Sequence, residues 1–419
     1  MSRWISRTAA ASGVLLMASV VAGSGGVEVP AAAAGHPAFG TIGVGNYGAS
    51  SLLTFAPGST GDVPPVTSIS GTTTTLSGPT GVAFDRAGRL YTANFGAGSV
   101  VAFSPGATGD VPPALTISGT NTTLTQPFGL AVTPSGNVWV ANYGSNQILE
   151  FDAGSVGDVA PTRTITGPAT GLTAVYGLAL TPDGKGIWAV DGAASGSTVE
   201  REFSTKANGN APPIRSIAGG QTQIDTPYGV AALLGGGVVF ADRSTPPAIL
   251  TFGAHASGNA APRTVISGTN TGMNTPSLIG LNPVGEVWVP DTGNNAVRRF
   301  PANATGNASP DHQLAGTATT LSTPEGATVY IRPPTAPRAL RKHVHHKTLK
   351  LHWHAPASSG GGIEGYVVRF AKHKSGTFHV VKTTTKRRYK KHHAKHGFYD
   401  VMAFNQAGFG AHSKRVHFR

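Results

Sequence analysis

The sequence predicts an all-β protein, in which a six-bladed β-propeller, with its N- and C-terminal strands in one shared blade, precedes a β-sandwich. Three observations indicate this fold. A motif recurs about every 48 residues, 57 Gly and 30 Pro are spread among short apolar runs, and the composition changes abruptly after Arg332. Evenly spaced turn residues between apolar runs are typical of many short strands, whereas a disordered chain lacks those runs. At 419 residues the chain is long enough for two or three domains.

A Pro-x-Gly start followed by an apolar run marks each repeat, and successive copies are 48, 48, 52, 49 and 48 residues apart. The six copies are Pro79-Thr80-Gly81, Pro127-Phe128-Gly129, Val175-Tyr176-Gly177, Pro227-Tyr228-Gly229, Pro276-Ser277-Leu278 and Pro324-Glu325-Gly326. Three further short strands follow each of the first five starts. Four strands in a unit of this length are typical of a propeller blade, which cannot bury its apolar face alone.

The two ends of the repeat region predict the number of blades. Residues 40–77 supply the second, third and fourth strands of a unit, and the segment that starts at Pro324 supplies only a first strand. With the five complete units between them, they predict six blades. Pairing of the segment around Ala327 with the beginning of the region would leave no open sheet edge.

Several segments resemble the NHL repeat, among them "GEVWVPDTGNNAVRRF" and "GLAVTPSGNVWVANYGSNQILEF". The resemblance covers about 290 residues and implies a six-bladed propeller that serves as a binding platform. The chain departs from the family where the NHL Arg after Asn-x is usually found. In the fifth copy, Pro246 and Pro247 occupy that loop.

A second motif, Gly-Asp/Asn-x-x-Pro, occurs in every copy, and a further Gly three residues earlier makes it Gly-x-x-Gly-Asp-x-x-Pro in the first three. Its central pairs are Gly61-Asp62, Gly109-Asp110, Gly157-Asp158, Gly209-Asn210, Gly258-Asn259 and Gly306-Asn307. Because Gly adopts positive φ easily and Asp or Asn bonds its own backbone two residues on, the motif predicts a turn between the third and fourth strands. A ring of calcium sites is the alternative, although the motif lacks the Asp ladder of calcium-binding nonapeptides.

The N-terminus predicts export. Residues 1–34 combine Arg3 and Arg7, an apolar stretch and an Ala-x-Ala site near Ala34, which together are typical of a secretory signal peptide. The apolar stretch is too short to span a membrane. An uncleaved anchor is the alternative. With no Cys, the chain has no disulfide and no thiol for lipid attachment. We therefore expect a secreted, extracellular protein associated with the cell wall.

Residues 36–331 are thus predicted to be the propeller, residues 332–337 a Pro-rich linker and residues 338–419 a second domain of seven short strands. In "LKLHWHAP", apolar residues alternate with Lys and His, which predicts one buried and one solvated face. Trp353, Tyr366 and Tyr399 with "AFNQAGFG" resemble the fibronectin type III domain. The resemblance implies a β-sandwich in which these three residues are core packing.

The two halves of the chain differ in charge. From Arg332 onward, 19 Lys and Arg stand against two acidic residues, and 12 of the 15 His lie there, whereas residues 36–331 carry a net charge of −5. Clustered Lys and Arg release counterions from a dense anionic polymer, so this half is predicted to bind one. The predicted polyanion-binding residues are Arg341, Lys342, Lys347, Lys386, Arg387, Arg388, Lys390, Lys391 and Lys395.

The expected partner is an anionic cell-envelope polymer or polysaccharide, with nucleic acid bound only non-specifically because few aromatic residues interrupt the basic runs. Solvated loops that aid solubility are the plain alternative. A loose divalent-metal tract is a third interpretation, with His343, His345, His346, His392, His393 and His396 as its ligands. No Cys or carboxylate lies nearby, so no dedicated metal site and no cofactor is expected. Because imidazole gains charge as pH falls, polyanion binding is predicted to strengthen between pH 8 and 5.5.

In a propeller, the starts of the first strands and the ends of the second strands share one end of the channel, which we call the mouth. We predict that the mouth binds a protein or glycan ligand. Its predicted residues are Phe128, Tyr176, Tyr228, Glu325, Asn142, Asp191, Asp242 and Asp291. A structural role, in which Asn and Asp tie down turns, is the alternative for the last four. A calcium site like that of the sugar-lactonase propellers, with Glu325, Asn142, Asp191 and Asp242, is a further alternative.

Related propeller enzymes, the peptidyl-hydroxyglycine lyases and streptogramin lyases, need channel histidines. Residues 36–331 contain only His36, His255 and His312, and none falls on a first strand. No Gly-x-Ser-x-Gly, phosphate-loop or HExxH motif occurs either. The sequence therefore predicts a secreted, non-enzymatic binding or scaffold protein of the cell envelope. An extracellular hydrolase, a calcium-dependent lactonase-like enzyme and an accessory protein in polysaccharide degradation are the alternatives.

Overall fold

The computed structural model describes residues 36–192, 198–233, 236–282, 284–360, 362–363, 365–376, 378–405 and 408–418. The predicted signal peptide, residues 1–34, lies outside the described residues. Within the described ranges, no helix is long and apolar enough to cross a membrane.

Among these residues, positions 42–329 form six four-stranded antiparallel sheets, numbered here in chain order. Sheet 1 contains β1 (Ile42–Asn46), β2 (Ser51–Phe55), β3 (Thr67–Ile69) and β24 (Pro324–Val329). Sheet 2 contains β4 (Pro79–Phe84), β5 (Leu90–Asn94), β6 (Ser99–Phe103) and β7 (Leu115–Ile117). Sheet 3 contains β8 (Pro127–Val132), β9 (Val138–Asn142), β10 (Gln147–Phe151) and β11 (Arg163–Ile165).

The next three sheets repeat the same up-and-down order. Sheet 4 contains β12 (Val175–Leu180), β13 (Gly186–Asp191), β14 (Val199–Ser204) and β15 (Arg215–Ala218). Sheet 5 contains β16 (Pro227–Ala232), β17 (Val238–Asp242), β18 (Ala248–Phe252) and β19 (Thr264–Ser267). Sheet 6 contains β20 (Gly280–Leu281), β21 (Val287–Asp291), β22 (Ala296–Phe300) and β23 (His312–Leu314). The prediction of an all-β chain of repeated four-stranded sheets is confirmed at this level.

Short 3-10 helices, which the sequence analysis did not predict, occur at two recurring places in the described chain. One set follows second strands: Tyr47–Ala49, Phe95–Ala97, Tyr143–Ser145 and Thr292–Asn294. The other set follows fourth strands: Thr72–Thr74, Thr120–Thr122, Pro168–Thr170, Gly220–Thr222, Thr269–Thr271 and Thr317–Thr319.

Sheet 1 joins the two ends of the repeat region. β24 pairs antiparallel with β1, with Val329 opposite Ile42 and Ala327 opposite Val44. The pairing that the sequence predicts for the segment around Ala327 is therefore present. It gives β1 a neighbour on the side where it would otherwise expose unpaired backbone groups.

Buried side chains lie between neighbouring sheets. Each of six apolar clusters draws its residues from two consecutive sheets, and the last combines Trp288 and Val297 of sheet 6 with Val44 and Leu53 of sheet 1. Full burial of one such side chain contributes roughly 1.5–3 kcal/mol. Each sheet therefore obtains its core from its neighbours, which is why one unit is not stable alone.

The Gly-Asp/Asn loops connect the sheets in the same cyclic order. The backbone N–H of Gly109 donates to Ser68 O of the preceding sheet at 2.7 Å, and that of Gly61 donates to Gln313 O of sheet 6 at 2.6 Å. Parallel bridges repeat at all six loops, from Ile69 with Gly109 round to Leu314 with Gly61.

The Asp or Asn side chain of each loop was predicted to bond its own backbone two residues on. It instead accepts a backbone N–H of the neighbouring sheet. Asp110 Oδ1 accepts the N–H of Thr73 at 2.7 Å, so it caps a 3-10 helix of the preceding sheet. Asp62 does the same for Ala318 at 2.7 Å. A Cβ on Gly71, whose φ is +121°, would lie 2.6 Å from Asp110 Oδ1, which explains the Gly of the "ISGT" segment. The motif thus joins neighbouring sheets in addition to making a turn.

Residues 338–418 form two sheets around one core. The first has the order β25 (Arg338–His345), β26 (Thr348–His354), β29 (Arg388–His392). The second contains β28 (His379–Thr384), β27 (Gly365–Ala371), β30 (Gly397–Asn405), β31 (Gly408–His412) and β32 (Val416–Phe418). Leu351 and Trp353 of the first sheet pack with Val368 and Val401 of the second. The described strands number eight, one more than predicted, because β32 pairs with the beginning of β30.

One buried acid interrupts the repeated core. Glu200 pairs with Ile217 at a position that is Leu52, Ile148 or Ile249 in other sheets. Its side chain is fully buried, and neither carboxylate oxygen has a hydrogen-bond partner among the described residues. Burial, helped by the nearby Asp191 carboxylate, raises the pKa of Glu200 well above its ordinary value of 4.5.

We predict that Asp62→Ala lowers the free energy of unfolding by about 1–2 kcal/mol, because the Ala318 N–H loses its acceptor. Asp62→Asn is the matched control, since Asn fills the equivalent place in sheets 4 to 6 and keeps the Oδ1 acceptor. Urea denaturation of both variants measures the effect. Equal stability of the Ala and Asn variants would contradict the role of this contact.

We predict that Glu200 makes stability depend on pH. Its folded-state pKa is raised, so its contribution is fully present below about pH 4.5 and is lost as pH rises through the folded value. Glu200→Leu, which restores the apolar residue of the other sheets, should stabilise the protein at pH 8 by about 1–3 kcal/mol. Denaturation midpoints at pH 5 and pH 8 test this. The exposed control Asp152→Asn should keep the wild-type pH dependence, and an unchanged slope in Glu200→Leu would refute the assignment.

Candidate functional site

The first strands approach one another closely around a common centre. A Cβ on Gly81 would lie 2.7 Å from Phe128 O, and one on Gly177 would lie 2.9 Å from Tyr228 O. Only Gly permits this backbone approach, which explains the Gly of the Pro-x-Gly starts. Each first strand starts opposite the end of its second strand, as Pro127 opposite Asn142 shows. These starts and ends form the mouth.

A small apolar cavity lies behind the mouth. Its volume is about 40 Å³, and its lining includes Gly129, Leu130, Leu178 and Val230. Ligand pockets usually occupy about 300–1,000 Å³. This cavity holds at most a water or two and is too small for a ligand of that size.

Three predicted mouth aromatics contact one another. Tyr176 stacks on Tyr228 with ring centroids 4.3 Å apart, and Phe128 lies edge-on to both, at 5.3 and 5.6 Å. Phe128 is only 6% exposed, while both tyrosines are partly exposed. Burial raises the pKa of Tyr176 and of Tyr228, so both phenols stay protonated over the neutral range. The three rings form a packed surface with two hydroxyl groups.

A second set of aromatics extends this surface and was missed by the sequence analysis. Tyr143 lies 4.8 Å from Tyr176, Phe95 lies 5.9 Å from Phe128, and Tyr47 lies 6.2 Å from Phe95, centroid to centroid. Each of the three is the first residue of a 3-10 helix after a second strand. The signal was present in the repeated Asn-Tyr/Phe-Gly triplet, which recurs with the period of the first strands.

Glu325 belongs to a polar part of the mouth together with Arg243, also missed from the sequence. The Arg243 guanidinium lies 3.3 Å from the Tyr228 ring centroid, donates to Pro276 O at 2.9 Å and lies 3.3 Å from Glu325 Oε2. Ser277 donates its hydroxyl proton to the same carboxylate. Burial raises the pKa of Glu325, and Arg243 opposes that shift. The carboxylate is thus satisfied by protein donors.

The predicted Asn and Asp residues of the mouth are almost fully buried and bind backbone groups. Asn142 Oδ1 accepts the N–H of Thr125 at 2.7 Å, and its amide nitrogen donates to Thr123 O at 2.8 Å. Asp242 accepts the N–H of Asp225 at 2.8 Å. These contacts hold the loop before each first strand, which favours the structural alternative; ligand binding by these residues stays a prediction.

Two of the carboxylates also pair with arginines. Asp191 Oδ2 lies 2.6 Å from Arg201 Nη1, and Asp291 Oδ2 lies 2.9 Å from Arg298 Nε. Both aspartates are at most 1% exposed. Removal of one partner from a buried pair leaves an uncompensated charge, so the pairs fix the geometry of sheets 4 and 6. Across the described part of the chain, no three His, Asp or Glu side chains come together to hold a metal ion.

The predicted polyanion-binding residues separate into two groups on the C-terminal sheet. Arg341, Arg388 and Lys390 lie on the face of β25, β26 and β29 that points away from the core, as the register with His352 and Lys350 shows. Lys342 and Lys391 lie opposite Leu351 and Leu349, on the core side at the sheet edges. The remaining residues follow the strands in turns and loops: Lys347, Lys386, Arg387 and Lys395. All nine are exposed.

The six histidines of the predicted metal tract are also divided. His343, His345 and His392 lie on the outward face, opposite Lys350 and Thr348. The rings of His345 and His346 lie 4.2 Å apart, and His396 packs 5.2 Å from Phe418. His393 lies in the loop after β29. The six therefore do not converge on one point.

The sequence matches no family model and no curated protein significantly. Among solved structures, streptogramin B lyase, a β-propeller, is similar over 69% of this chain and 83% of its own, with 12% identity and a TM-score of 0.43. Titin kinase with its flanking domains is similar over 20% of this chain, with 26% identity and a TM-score of 0.19, and this chain spans only 16% of its length. Both TM-scores are below 0.5, so neither likeness assigns an activity.

Proposed function

We propose that residues 36–331 form a closed six-bladed propeller of the NHL type and that residues 338–419 form a fibronectin type III sandwich. Cyclic bridges and shared clusters among the six sheets support the first part. The Tyr399 hydroxyl, which donates to Lys395 O at 3.0 Å four residues upstream, supports the second. Such a tyrosine corner is a hallmark of immunoglobulin-like sandwiches.

The function we propose is that of a secreted, non-enzymatic binding protein of the cell envelope. Its C-terminal region adsorbs to an anionic polymer, and its mouth binds a protein or glycan ligand. The observation that carries this proposal is the charge of the C-terminal region, a net +17 after Arg332 against −5 for residues 36–331. Charge of this density opposes compaction unless an anion neutralises it.

The mouth is suited to binding because its aromatic surface joins a polar group. Tyr176 and Tyr228 present ring faces and hydroxyls, and such amphipathic rings are common where sugars or proteins bind. Glu325 and Arg243 add one buried charge pair beside them. Since that carboxylate is occupied by Arg243 and Ser277, its contacts favour a positioning role over a calcium ligand.

We predict that adsorption of the full-length chain to a soluble anionic polymer falls steeply with salt. Between 50 and 200 mM NaCl the binding constant should drop by about 10³-fold or more if six or more anionic groups are neutralised. Fluorescence anisotropy with labelled heparin and with labelled polyphosphate measures this at pH 7. Binding that is flat with ionic strength for both polymers would contradict electrostatic adsorption.

The mouth can be tested by screening glycans and extracellular proteins for a ligand. We predict that Tyr176→Ala or Tyr228→Ala weakens the binding free energy of that ligand by about 1–3 kcal/mol. The control is Ile214→Ala. Ile214 is an exposed apolar residue, 61% accessible, that directly precedes the fourth strand of sheet 4 at the end opposite the mouth. A ligand that binds both kinds of variant equally does not use the mouth. Calcium-dependent lactone turnover abolished by Glu325→Gln would overturn the non-enzymatic assignment.

A further inference from the structure

The outward face of the three-stranded C-terminal sheet carries a regular array of cations and imidazoles. One cross-strand row is Arg341, His352 and Arg388, and the next is His343, Lys350 and Lys390. A third row is His345, Thr348 and His392, and Arg338 stands opposite His354. We call these positions the outer face. Adjacent strands lie about 4.8 Å apart and alternate residues about 7 Å apart along a strand, so the charges form a dense, flat grid.

The described residues offer this grid no counter-charge. Among the described residues, no carboxylate forms an ion pair with any side chain of the outer face. Asp400, the acid that the structure describes in residues 338–418, is fully buried and binds Arg369 at 2.8 Å. Like charges directly opposite each other on a sheet are destabilising. An anionic ligand would remove this cost as it binds.

The chemistry of the face points to phosphate groups. Arg341 and Arg388 hold guanidinium groups on both sides of the central strand, and a guanidinium binds phosphate through two parallel N–H groups. The outer face has no Phe, Tyr or Trp on which a base or sugar ring could stack, and no apolar residue that could enter a lipid layer. A linear chain of single negative charges without rings fits these features.

We propose that the outer face binds a linear polymer of phosphodiester-linked polyols, and that His343 and His352 tighten this binding as pH falls. This inference rests on the proposed adsorption of the C-terminal region. It locates that adsorption on the outer face, names the class of ligand and makes the affinity depend on pH. Lys350, His343 and His352 were not among the polyanion-binding residues predicted from the sequence. The alternation along β26 was the signal that could have identified Lys350 and His352.

The surroundings of the two histidines explain the pH dependence. His352 faces Arg341 and Arg388 across the sheet and has Lys350 and His354 as neighbours on its own strand. His343 faces Lys350 and lies between Arg341 and His345 along β25. Every one of these groups is cationic or becomes cationic on protonation. A bound phosphodiester chain brings negative charge next to both imidazoles, so we expect binding to be coupled to proton uptake.

The first test separates a localised site from net charge. Full-length protein binds labelled poly(glycerol phosphate) at pH 5.5 and 50 mM NaCl, and the triple variant Arg341→Gln, Arg388→Gln, Lys390→Gln is compared with Lys347→Gln, Lys391→Gln, Lys395→Gln. Both triples remove three exposed cations. The outer-face triple should weaken binding by about tenfold or more, and the control triple by about threefold or less. Equal losses would overturn the inference and leave electrostatic adsorption intact, whereas no binding by the wild type would refute the proposed function itself.

The second test concerns the histidines. Wild-type affinity for poly(glycerol phosphate) should rise severalfold from pH 8.0 to pH 5.5 at constant ionic strength, with net proton uptake seen by calorimetry in two buffers. His343→Asn with His352→Asn should abolish most of this rise in affinity. The control, His393→Asn with His396→Asn, should keep it. The proposal would be overturned if the rise in affinity survived in the variant that lacks His343 and His352. Tighter binding to phosphatidylglycerol vesicles than to poly(glycerol phosphate), at equal phosphate concentration, would also overturn it.

Discussion

The contact on which residues 42–329 depend is the hydrogen bond from a 3-10 helix N–H to the Asp or Asn of the next Gly-Asp/Asn loop. It recurs at every junction, from Thr73 with Asp110 to Ala318 with Asp62. A four-stranded sheet with apolar residues on both faces cannot stand alone in water. These loops place each sheet against the next in one register, so the apolar clusters between sheets close. The Gly of "ISGT", such as Gly71, provides room for the Asp or Asn side chain, while the Gly of the motif adopts positive φ.

Close approach at the centre determines where function can reside. Because the first strands meet through glycines such as Gly81 and Gly177, they leave a small cavity where they approach one another. For this reason we propose the mouth as the place where a ligand binds. There the sheets differ from one another: neighbouring first strands provide Phe128, Tyr176 and Tyr228, while Glu325 meets the Arg243 of another sheet. A symmetric scaffold thus carries an asymmetric surface, with its aromatic side next to a charged one.

In the C-terminal region, strand alternation separates the side chains that pack in the core from the charged side chains that are exposed. Leu349, Leu351 and Trp353 of β26 are buried in the core, and the intervening side chains point outward. The core residues hold the two sheets together, and the outer face therefore remains free to carry charges that contribute nothing to packing. Asp400 differs from the exposed cations of the outer face, because it is buried in the core and binds Arg369 there.

The sequence by itself determined the properties that local pattern encodes: the period, the four strands of each unit, the pairing of the ends, the buried and solvated faces of β26, and the separation of charge between the halves. The pairing of the ends follows from the two incomplete copies of the repeat, and each other property follows from residue order within a few positions or from composition. Only the tertiary structure decided which atoms meet. The Asp and Asn acceptors bond donors 37 to 256 positions away, Arg243 reaches Glu325 over 82 positions, and β25 and β29 place cations on both sides of Lys350 and His352. Contacts at such separations depend on how sheets assemble, and residue order alone does not specify that geometry.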